Sequence, residues 1–322
     1  MINQKKELLT VKDLKMYFPV KSEKFFEPKK NVKAVDGVNF SIYEGETLGL
    51  VGESGCGKST TGKLLVKLLE PTEGSIIYNG ENIVELSKRD FKKYRRNIQM
   101  IFQDPYSSLD PRRTVGKTIG EPLKVNRIQG DTKKIVVDLM EEVGLREEFY
   151  SRYPHEFSGG QRQRIGVARA LALNPKLIIC DEPVSALDVS IQAQILNLMD
   201  DLQTKFDLTY LFISHDLAVV KHICDRIAVM YLGRIVELTD KHELFNNPKH
   251  PYTKALLESI PVPDPENIKE QGVLKGDVPS PINLPTGCRF HTRCDYCMDI
   301  CKIESPVYKE ISDGHFVECH LY

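Results

Sequence analysis

The segment GESGCGKST has the residue types and spacing of a loop that binds phosphate groups. It follows the apolar run TLGLV and precedes the helical pattern LLVKLL, the strand-loop-helix context that such a loop requires. Its glycines let the backbone curl, so that successive N–H groups point at phosphate oxygens near the positive end of the helix. In this pattern Lys58 reaches the β and γ phosphates, and Ser59 is a ligand of Mg²⁺. The predicted contacts are Gly52, Glu53, Ser54, Gly55, Cys56, Gly57, Lys58, Ser59 and Thr60.

Two adjacent carboxylates, Asp181 and Glu182, end another apolar run, LIICDE. Asp181 would hold the water shell of Mg²⁺, and Glu182 would orient and deprotonate the attacking water as general base. A carboxylate pair at a strand end is weak evidence alone, but the phosphate loop upstream makes it strong. The two motifs together predict hydrolysis of a nucleoside triphosphate.

A second anion cradle lies between these motifs, in the segment FSGGQ just before a helical run. Its serine and glycines, at the start of a helix, are suited to a phosphate group. One nucleotide does not need two cradles. The residues concerned are Ser158, Gly159, Gly160 and Gln161.

These three motifs, in their relative order, resemble those of an ABC ATPase over about residues 8–260. In that family two ATPase subunits sandwich two nucleotides, and each signature loop closes on the partner's ATP, which explains the second cradle. The first signature position is Phe157, where the family often has leucine. This departure leaves the phosphate-facing residues intact.

The resemblance implies further site residues. Gln103 in IFQDP corresponds to the Q-loop glutamine. In that family this glutamine contacts Mg²⁺ and lies where the helical lobe meets the membrane subunits. Asp188 ends the D-loop SALD, and His215 in FISHD corresponds to the switch histidine near the γ phosphate. An aromatic residue after the first strand should stack on adenine, with Phe18 the better fit and Tyr17 the second candidate.

The elements that must position these residues are those of an α/β protein. Short alternating runs such as LLTVKDL, AVDGVNFSI and GSIIYNG predict strands, and charged segments with helical spacing predict an inserted helical subdomain at about residues 88–172. LIICDEP and LTYLFISHD, separated by a helical run, predict a parallel sheet. The expected fold is a P-loop NTPase (ABC ATPase) core with an antiparallel β subdomain, a helical subdomain and a short cysteine-rich C-terminal extension.

The domain boundary is predicted from composition. Residues 1–260 form the ATPase domain, and residues 261–322 form a linker, marked by IPVPDPE and VPSPINLPTG, and a metal-binding extension. Cys288, Cys294, Cys301 and Cys319 offer the four thiolates that a [4Fe-4S] cluster needs. Zn²⁺ is the alternative metal for these thiolates, and free buried thiols are a third possibility. Cys297 is an additional thiol that could replace one of the four.

Composition and charge restrict the possible classes of function. The 322 residues carry 44 basic and 45 acidic side chains, a net charge of -1, so no global field attracts nucleic acid. No run approaches the roughly 18 apolar residues of a membrane span, and the start MINQKKELLTVKDL lacks the apolar core of a signal peptide. The expectation is a cytosolic chain that reaches the membrane through other proteins.

Longer strings narrow the resemblance. YPHEFSGGQRQRIGVARALALNPKLIICDEPVSALDVSIQAQILNL, NPKHPYTKALLESIP and GCRFHTRC resemble the ATP-binding subunits of dipeptide and oligopeptide importers, and CDEPVSALDVSIQ is closer to the F-type subunit. Such subunits carry the same four-cysteine pattern. The implied partners are a D-type ATPase subunit in a nucleotide-sandwich dimer, two transmembrane permease subunits at the cytoplasmic face of the membrane and, indirectly, an extracytoplasmic peptide-binding protein.

Two alternative functions would predict sequence features that this chain does not have. A soluble ABC ATPase not coupled to transport would usually carry two cassettes or long coiled insertions, and this chain has one cassette and neither feature. A non-hydrolysing regulatory module would be expected to lack Glu182 or His215, and both are present.

Overall fold

The computed structural model describes residues 6–20, 30–104, 106–259 and 276–322. The strands of this part of the chain are β1 (Glu7–Pro19), β2 (Asn31–Tyr43), β3 (Thr47–Val51), β4 (Glu73–Tyr78), β5 (Glu81–Asn82), β6 (Ile98–Ile101), β7 (Leu177–Asp181), β8 (Thr209–Ser214), β9 (Arg226–Tyr231), β10 (Arg234–Asp240), β11 (Tyr308–Ser312) and β12 (His315–Glu318). Its α-helices are α1 (Lys58–Leu65), α2 (Val115–Val125), α3 (Thr132–Glu142), α4 (Gly159–Leu171), α5 (Val189–Phe206), α6 (Leu217–Ile223), α7 (Lys241–Asn246), α8 (Pro251–Glu258) and α9 (Asp299–Ile303). Short 3₁₀ turns occur at Asp90–Arg96, Glu147–Ser151, Pro154–Glu156 and His291–Arg293.

Contacts divide the chain into two compact units. The first is built mainly from residues 85–213 with 43–47, and the second from 7–42, 48–84 and 214–322. The first unit contains the parallel strands β6, β7 and β8, with β7 paired to both others. β7 and β8 are fully buried apolar runs, as expected for a parallel sheet, and α5 connects them.

The stretch predicted as a helical subdomain lies within the first unit. It contains α2, α3 and α4, which pack on one another. It also contains β6, a short apolar strand that pairs in parallel with β7. Each helix begins at a side chain that accepts a backbone N–H, and these caps are Thr114, Asp131 and Ser158.

The second unit contains two sheets. In one, β1 pairs antiparallel with β4 and β4 with β5, as the alternating runs predict. In the other, β3 runs parallel to β9, while β9, β10, β12 and β11 pair antiparallel in that order. The run IAVMYLGRIVEL is therefore a hairpin, which turns at Leu232 and Gly233 with φ angles of 42° and 83°.

The two strands nearest the C-terminus join this sheet. β12 pairs with β10 and β11 with β12, so hydrogen bonds between strands connect residues 308–318 to the rest of their unit. The predicted linker segment IPVPDPE lies outside the described residues. Within the described ranges, no helix is long and apolar enough to cross a membrane.

Candidate nucleotide-binding site

The phosphate loop has the predicted local structure. β3 is buried along its whole length and ends at Val51, and α1 begins at Lys58. A Cβ atom on Gly52 would lie 2.1 Å from the Met230 carbonyl oxygen, and one on Gly57 would lie 2.1 Å from the Ala34 carbonyl oxygen. Both glycines also have positive φ angles, of 152° and 110°. Only glycine fits these positions, because the loop packs directly against neighbouring backbone.

Lys58 connects the two ends of this loop. Its buried side chain donates hydrogen bonds from Nζ to the Gly52 carbonyl at 2.7 Å and to the Glu53 carbonyl at 3.0 Å. Ser54 and Gly55 are exposed at the tip, whereas Cys56 is buried, and Ser59 and Thr60 follow half-buried in the first turn of α1. The Lys58 ammonium is therefore held by carbonyl oxygens at the start of the loop.

Residues that the sequence did not predict hold the loop from outside. The Glu53 N–H donates to the Tyr252 hydroxyl at 3.0 Å, and Arg293 pairs with the Glu53 carboxylate. The Gly233 N–H donates to the Cys56 carbonyl at 2.8 Å. Arg293 is present in the string GCRFHTRC, but it lies 240 positions after Glu53, and no local pattern links the two.

The structure distinguishes the two aromatic candidates for adenine. The Tyr17 hydroxyl donates to the Asp36 carboxylate, and burial together with this bond raises the pKa of Tyr17. Lys33 lies over the Tyr17 ring, 5.5 Å from its centroid. Phe18, the next residue of β1, is half-buried and lies on the opposite face of the strand, since successive side chains alternate. The Tyr17 side chain is therefore held by Asp36, on the face of the strand opposite Phe18.

His215 lies in the second unit, on the turn between β8 and α6. It is exposed, while the residues on both sides of it fix the turn. The Asp216 N–H donates to the Ser214 hydroxyl at 2.9 Å, and the Asp216 carboxylate caps α6 by accepting the Ala218 N–H at 2.8 Å. A histidine on a rigid turn can present its ring to a bound group with little loss of entropy.

In the first unit, Gln103 and Glu182 are brought together. Gln103 donates from Nε2 to the Glu182 carboxylate at 2.8 Å. Glu182 follows the buried Asp181 at the end of β7 and has a φ of 46°, a left-handed conformation that is costly for a residue with a long side chain. Its N–H donates to the Ile213 carbonyl at 3.0 Å, which holds it there. Backbone strain of this kind is frequent at functional sites.

The signature segment begins a helix in the way its sequence predicts. The Gln161 N–H donates to the Ser158 hydroxyl, and the Ser158 N–H donates to the Gln161 side-chain oxygen at 3.1 Å, so the two form a capping box. A Cβ on Gly160 would lie 2.5 Å from the Ile191 side chain, and one on Gly159 would lie 3.2 Å from Leu187. The glycines thus allow the start of α5 to pack closely against the start of α4.

Asp188 from the predicted D-loop caps α5. Its carboxylate accepts the Ile191 N–H at 3.0 Å and the Ser190 hydroxyl at 2.8 Å. These hydrogen bonds hold the pKa of Asp188 below its ordinary value. Asp188 therefore organises the helix beside the signature glycines.

The predicted magnesium ligands have suitable donor atoms. Mg²⁺ binds oxygen ligands. Asp181 supplies a carboxylate that is 3% exposed, and Gln103 supplies an amide oxygen, because its amide nitrogen donates to Glu182. Ser59 supplies a hydroxyl at the start of α1. The chemistry of these donors fits the ion.

The prediction of a [4Fe-4S] cluster on Cys288, Cys294, Cys301 and Cys319 is wrong. Among the described residues, which include these four and Cys297, no group of three or more His, Cys, Asp or Glu side chains could hold a metal ion. The finding applies equally to the zinc alternative. All five cysteines are free, and burial raises the pKa of Cys288 to about 12 and also raises those of Cys294 and Cys319, which favours the neutral thiol.

Comparison with known families agrees with the cassette motifs. Residues 35–185 match the family model "ABC transporter", and residues 236–301 match "Oligopeptide/dipeptide transporter, C-terminal region". Among solved structures, a dimeric ATP-binding cassette, MJ0796, in a post-hydrolysis state with ADP and Pi is 28% identical. It matches with a TM-score of 0.64 over 73% of this chain and 99% of that one. Fold and motifs define an ABC ATPase cassette with a mixed sheet.

Full-length relatives narrow the family. The oligopeptide transport ATP-binding protein AppF of Bacillus subtilis is 57% identical over 98% of this chain and 97% of its own length. OppF of Salmonella typhimurium, described in the same words, is 52% identical over 99% and 97%. The dipeptide transport ATP-binding protein DppF of Haemophilus influenzae is 49% identical over 99% of both chains. This chain belongs to the F-type ATP-binding subunits of the oligopeptide and dipeptide ABC transporters, as the sequence predicted.

Proposed function

We propose that this chain binds and hydrolyses ATP and thereby drives a membrane importer of oligopeptides or dipeptides. The observation that carries the proposal is the phosphate loop, in which the buried Lys58 bonds the loop backbone and Gly52 and Gly57 occupy positions that only glycine fits. The high identity to peptide-transport subunits over nearly the whole chain supports peptides as the cargo class. The alternative of an ABC ATPase not coupled to transport is not favoured by these relatives.

We assign the binding of the ATP phosphates to the backbone N–H groups of the phosphate loop and to the Lys58 side chain. Phe18 stacks on the adenine, and His215 contacts the γ phosphate from its rigid turn. The support for Phe18 is that the Tyr17 hydroxyl is already bound to Asp36. Mg²⁺, when bound through Asp181, Gln103 and Ser59, supplies charge neutralisation for the phosphates.

Glu182 is assigned as the general base. A carboxylate at the end of a buried strand can accept a proton from water and hold that water in line with the γ phosphate. Gln103 supports this role because its amide nitrogen donates to the same carboxylate and fixes its orientation. Asp181, the residue directly before Glu182, is assigned to binding Mg²⁺.

We propose that the signature residues serve the nucleotide of a second ATPase subunit. The capping box of Ser158 and Gln161 and the close packing at Gly160 give a rigid helix start suited to a phosphate. The dimeric state of the related cassette supports a nucleotide-sandwich arrangement. The second subunit would be of the D-type, and the dimer would bind two permease subunits at the cytoplasmic face of the membrane. An extracytoplasmic binding protein would deliver the peptide to them.

The domain assignment also remains a proposal. Residues 1–260 would form the ATPase domain, with the helical subdomain at about 88–172, and residues 261–322 would form an extension that contains the cysteines. Its support is that β11 and β12 follow the cassette elements along the chain and add to the edge of the sheet at β10.

The test is purification of the chain from native membranes with all the proteins bound to it. The expected complex contains two permeases and a second ATPase subunit, and peptide with its binding protein stimulates ATP hydrolysis after reconstitution in vesicles. The isolated chain should hydrolyse ATP slowly, because it lacks the partner's signature loop. Recovery without permeases, or full turnover by a chain that stays monomeric, would contradict the proposal.

A further inference from the structure

A short segment of the C-terminal extension lies against the phosphate loop of its own chain. Arg293 donates from Nη1 to Glu53 Oε2 at 2.7 Å and from Nη2 to Oε1 at 3.1 Å. The Arg293 side chain is 4% exposed and the Glu53 side chain 24%. A planar guanidinium that forms two parallel hydrogen bonds fixes the position of a carboxylate as well as its charge. One loop residue is therefore held by the extension.

Aromatic residues also hold Glu53 in position. Its backbone N–H donates to the Tyr252 hydroxyl at 3.0 Å, and Arg293 also contacts the Tyr231 hydroxyl at 3.5 Å. Phe290, from the same segment as Arg293, packs edge-on against Tyr231 with ring centroids 5.3 Å apart and lies 5.4 Å from the Tyr252 ring. Both the side chain and the backbone of Glu53 are thus fixed by one packed cluster.

Arg289 supports the phosphate loop at Cys56 indirectly, through the Leu232–Gly233 turn. Its guanidinium donates to the Leu232 carbonyl and to the Asp36 carboxylate. Gly233, the neighbour of Leu232, donates its N–H to the Cys56 carbonyl at 2.8 Å and accepts the Asp36 N–H at 2.8 Å. Two arginines four positions apart therefore support both ends of the phosphate loop.

Charge gives the Arg293 contact a consequence for nucleotide binding. The Glu53 carboxylate belongs to the loop that receives the phosphates, and like charges repel. Arg293 cancels this charge at hydrogen-bonding distance. Its removal would leave a half-buried carboxylate without its cation beside the phosphate site, where water screens it incompletely.

We propose that Arg293 is a positioning residue for ATP binding within its own chain. By pairing with Glu53 it holds the phosphate loop in its binding conformation and neutralises a carboxylate that would oppose the phosphates. The inference rests on the proposed function and extends it, because it makes the C-terminal extension part of the ATP site.

The experiment compares Arg293→Ala, Arg293→Lys and the double variant Arg293→Ala/Glu53→Gln in the full-length chain and the assembled transporter. Arg293→Ala should raise the Kd for MgATP and the KM by about five- to tenfold with little change in kcat, within the range typical of coupling between sites. Arg293→Lys should fall between, because an ammonium cannot form the paired bonds. The double variant should recover part of the affinity, since no uncompensated charge remains.

Lys302→Ala is the matched control. It removes a cation of the same extension from an exposed ion pair, Lys302 to Asp299 at 2.9 Å, so the Kd should stay at the wild-type value. Thermal melts verify that each variant is folded. Wild-type affinity in Arg293→Ala, or an equal loss in Lys302→Ala, would overturn the inference while leaving the proposed function intact. A wild-type chain that fails to bind MgATP at all would overturn both.

Discussion

His250 is a buried base whose protonation should oppose folding. It is 1% exposed, and its Nδ1 accepts the Tyr252 N–H at 3.0 Å, where it caps the start of α8. Burial lowers the pKa of His250 from 6.5 to about 4, although the nearby Glu237 carboxylate acts in the opposite direction. An Nδ1 that accepts a hydrogen bond carries no proton, so the neutral ring is the form that the fold uses.

The sign and size of the effect follow from the two pKa values. As pH falls below 6.5, the unfolded chain takes up a proton that the native chain refuses until the pH is near 4, so stability is lost across this window. The interval between 6.5 and about 4 corresponds to about 3.4 kcal/mol in all. About 2 kcal/mol of this should be lost between pH 7 and pH 5.

The matched variant is His250→Asn, whose amide oxygen can cap the helix but does not titrate. The free energy of unfolding is measured by denaturant titration at pH 7 and pH 5 for both proteins. Other groups titrate equally in the two chains, so the difference between the two losses isolates His250. Wild type should lose about 2 kcal/mol more than the variant. Parallel losses would refute the assignment of a neutral, buried imidazole.

Other substitutions test the nucleotide site directly. Glu182→Gln should retain MgATP binding and lower hydrolysis by the assembled complex at least about 100-fold, since it removes the general base; near wild-type turnover would exclude that role. Lys58→Ala should weaken MgATP binding itself, by about tenfold or more, because it removes the cation that binds the phosphates; an unchanged Kd in equilibrium titration would contradict this. Phe18→Ala should weaken ATP binding by about fivefold or more, whereas Tyr17→Phe, which loses only the hydroxyl, should bind normally; the reverse result would assign adenine stacking to Tyr17.

The cassette could be predicted from sequence because its signals are local. An apolar strand, a glycine-rich loop and a helix follow one another directly around Lys58, so neighbouring residues determine the geometry. The same holds for Ser158 and Gln161, whose capping box spans a single turn. The boundaries were less predictable, since LLVKLL reads as helix, but α1 ends at Leu65 and the chain turns at Lys67 with a φ of 53°.

The support around the loop could not be predicted, because it joins distant parts of the chain. Nothing near Glu53 in sequence indicates a partner 240 residues later. The run IAVMYLGRIVEL also reads as one apolar segment, and only the structure shows the turn at Leu232 that brings a carbonyl to Arg289. Contacts of this kind depend on strand pairing, which is set by the whole sheet.

The cysteine prediction failed for a related reason. Spacing gives the number of thiols but not their directions, and a metal site needs ligands that converge. The segment is short and rich in proline, so it can bury little core of its own. In the structure, strand pairing with β10 and a buried hydrogen bond between His315 and Glu237, at 2.8 Å, connect the C-terminal strands to their unit.

The conformation of Glu182 gives an independent argument for its role. A left-handed φ costs a residue with a Cβ about 1 kcal/mol or more, and glycine or asparagine would avoid most of that cost. Lys67 and Arg127 adopt the same conformation just after α1 and α2, where a helix has to end. Glu182 instead directly follows a strand, and its carboxylate accepts a hydrogen bond from Gln103. Leu232 also has a left-handed φ directly after a strand, at a hairpin turn, so it is the Gln103 hydrogen bond that distinguishes Glu182 and supports chemistry that requires the carboxylate.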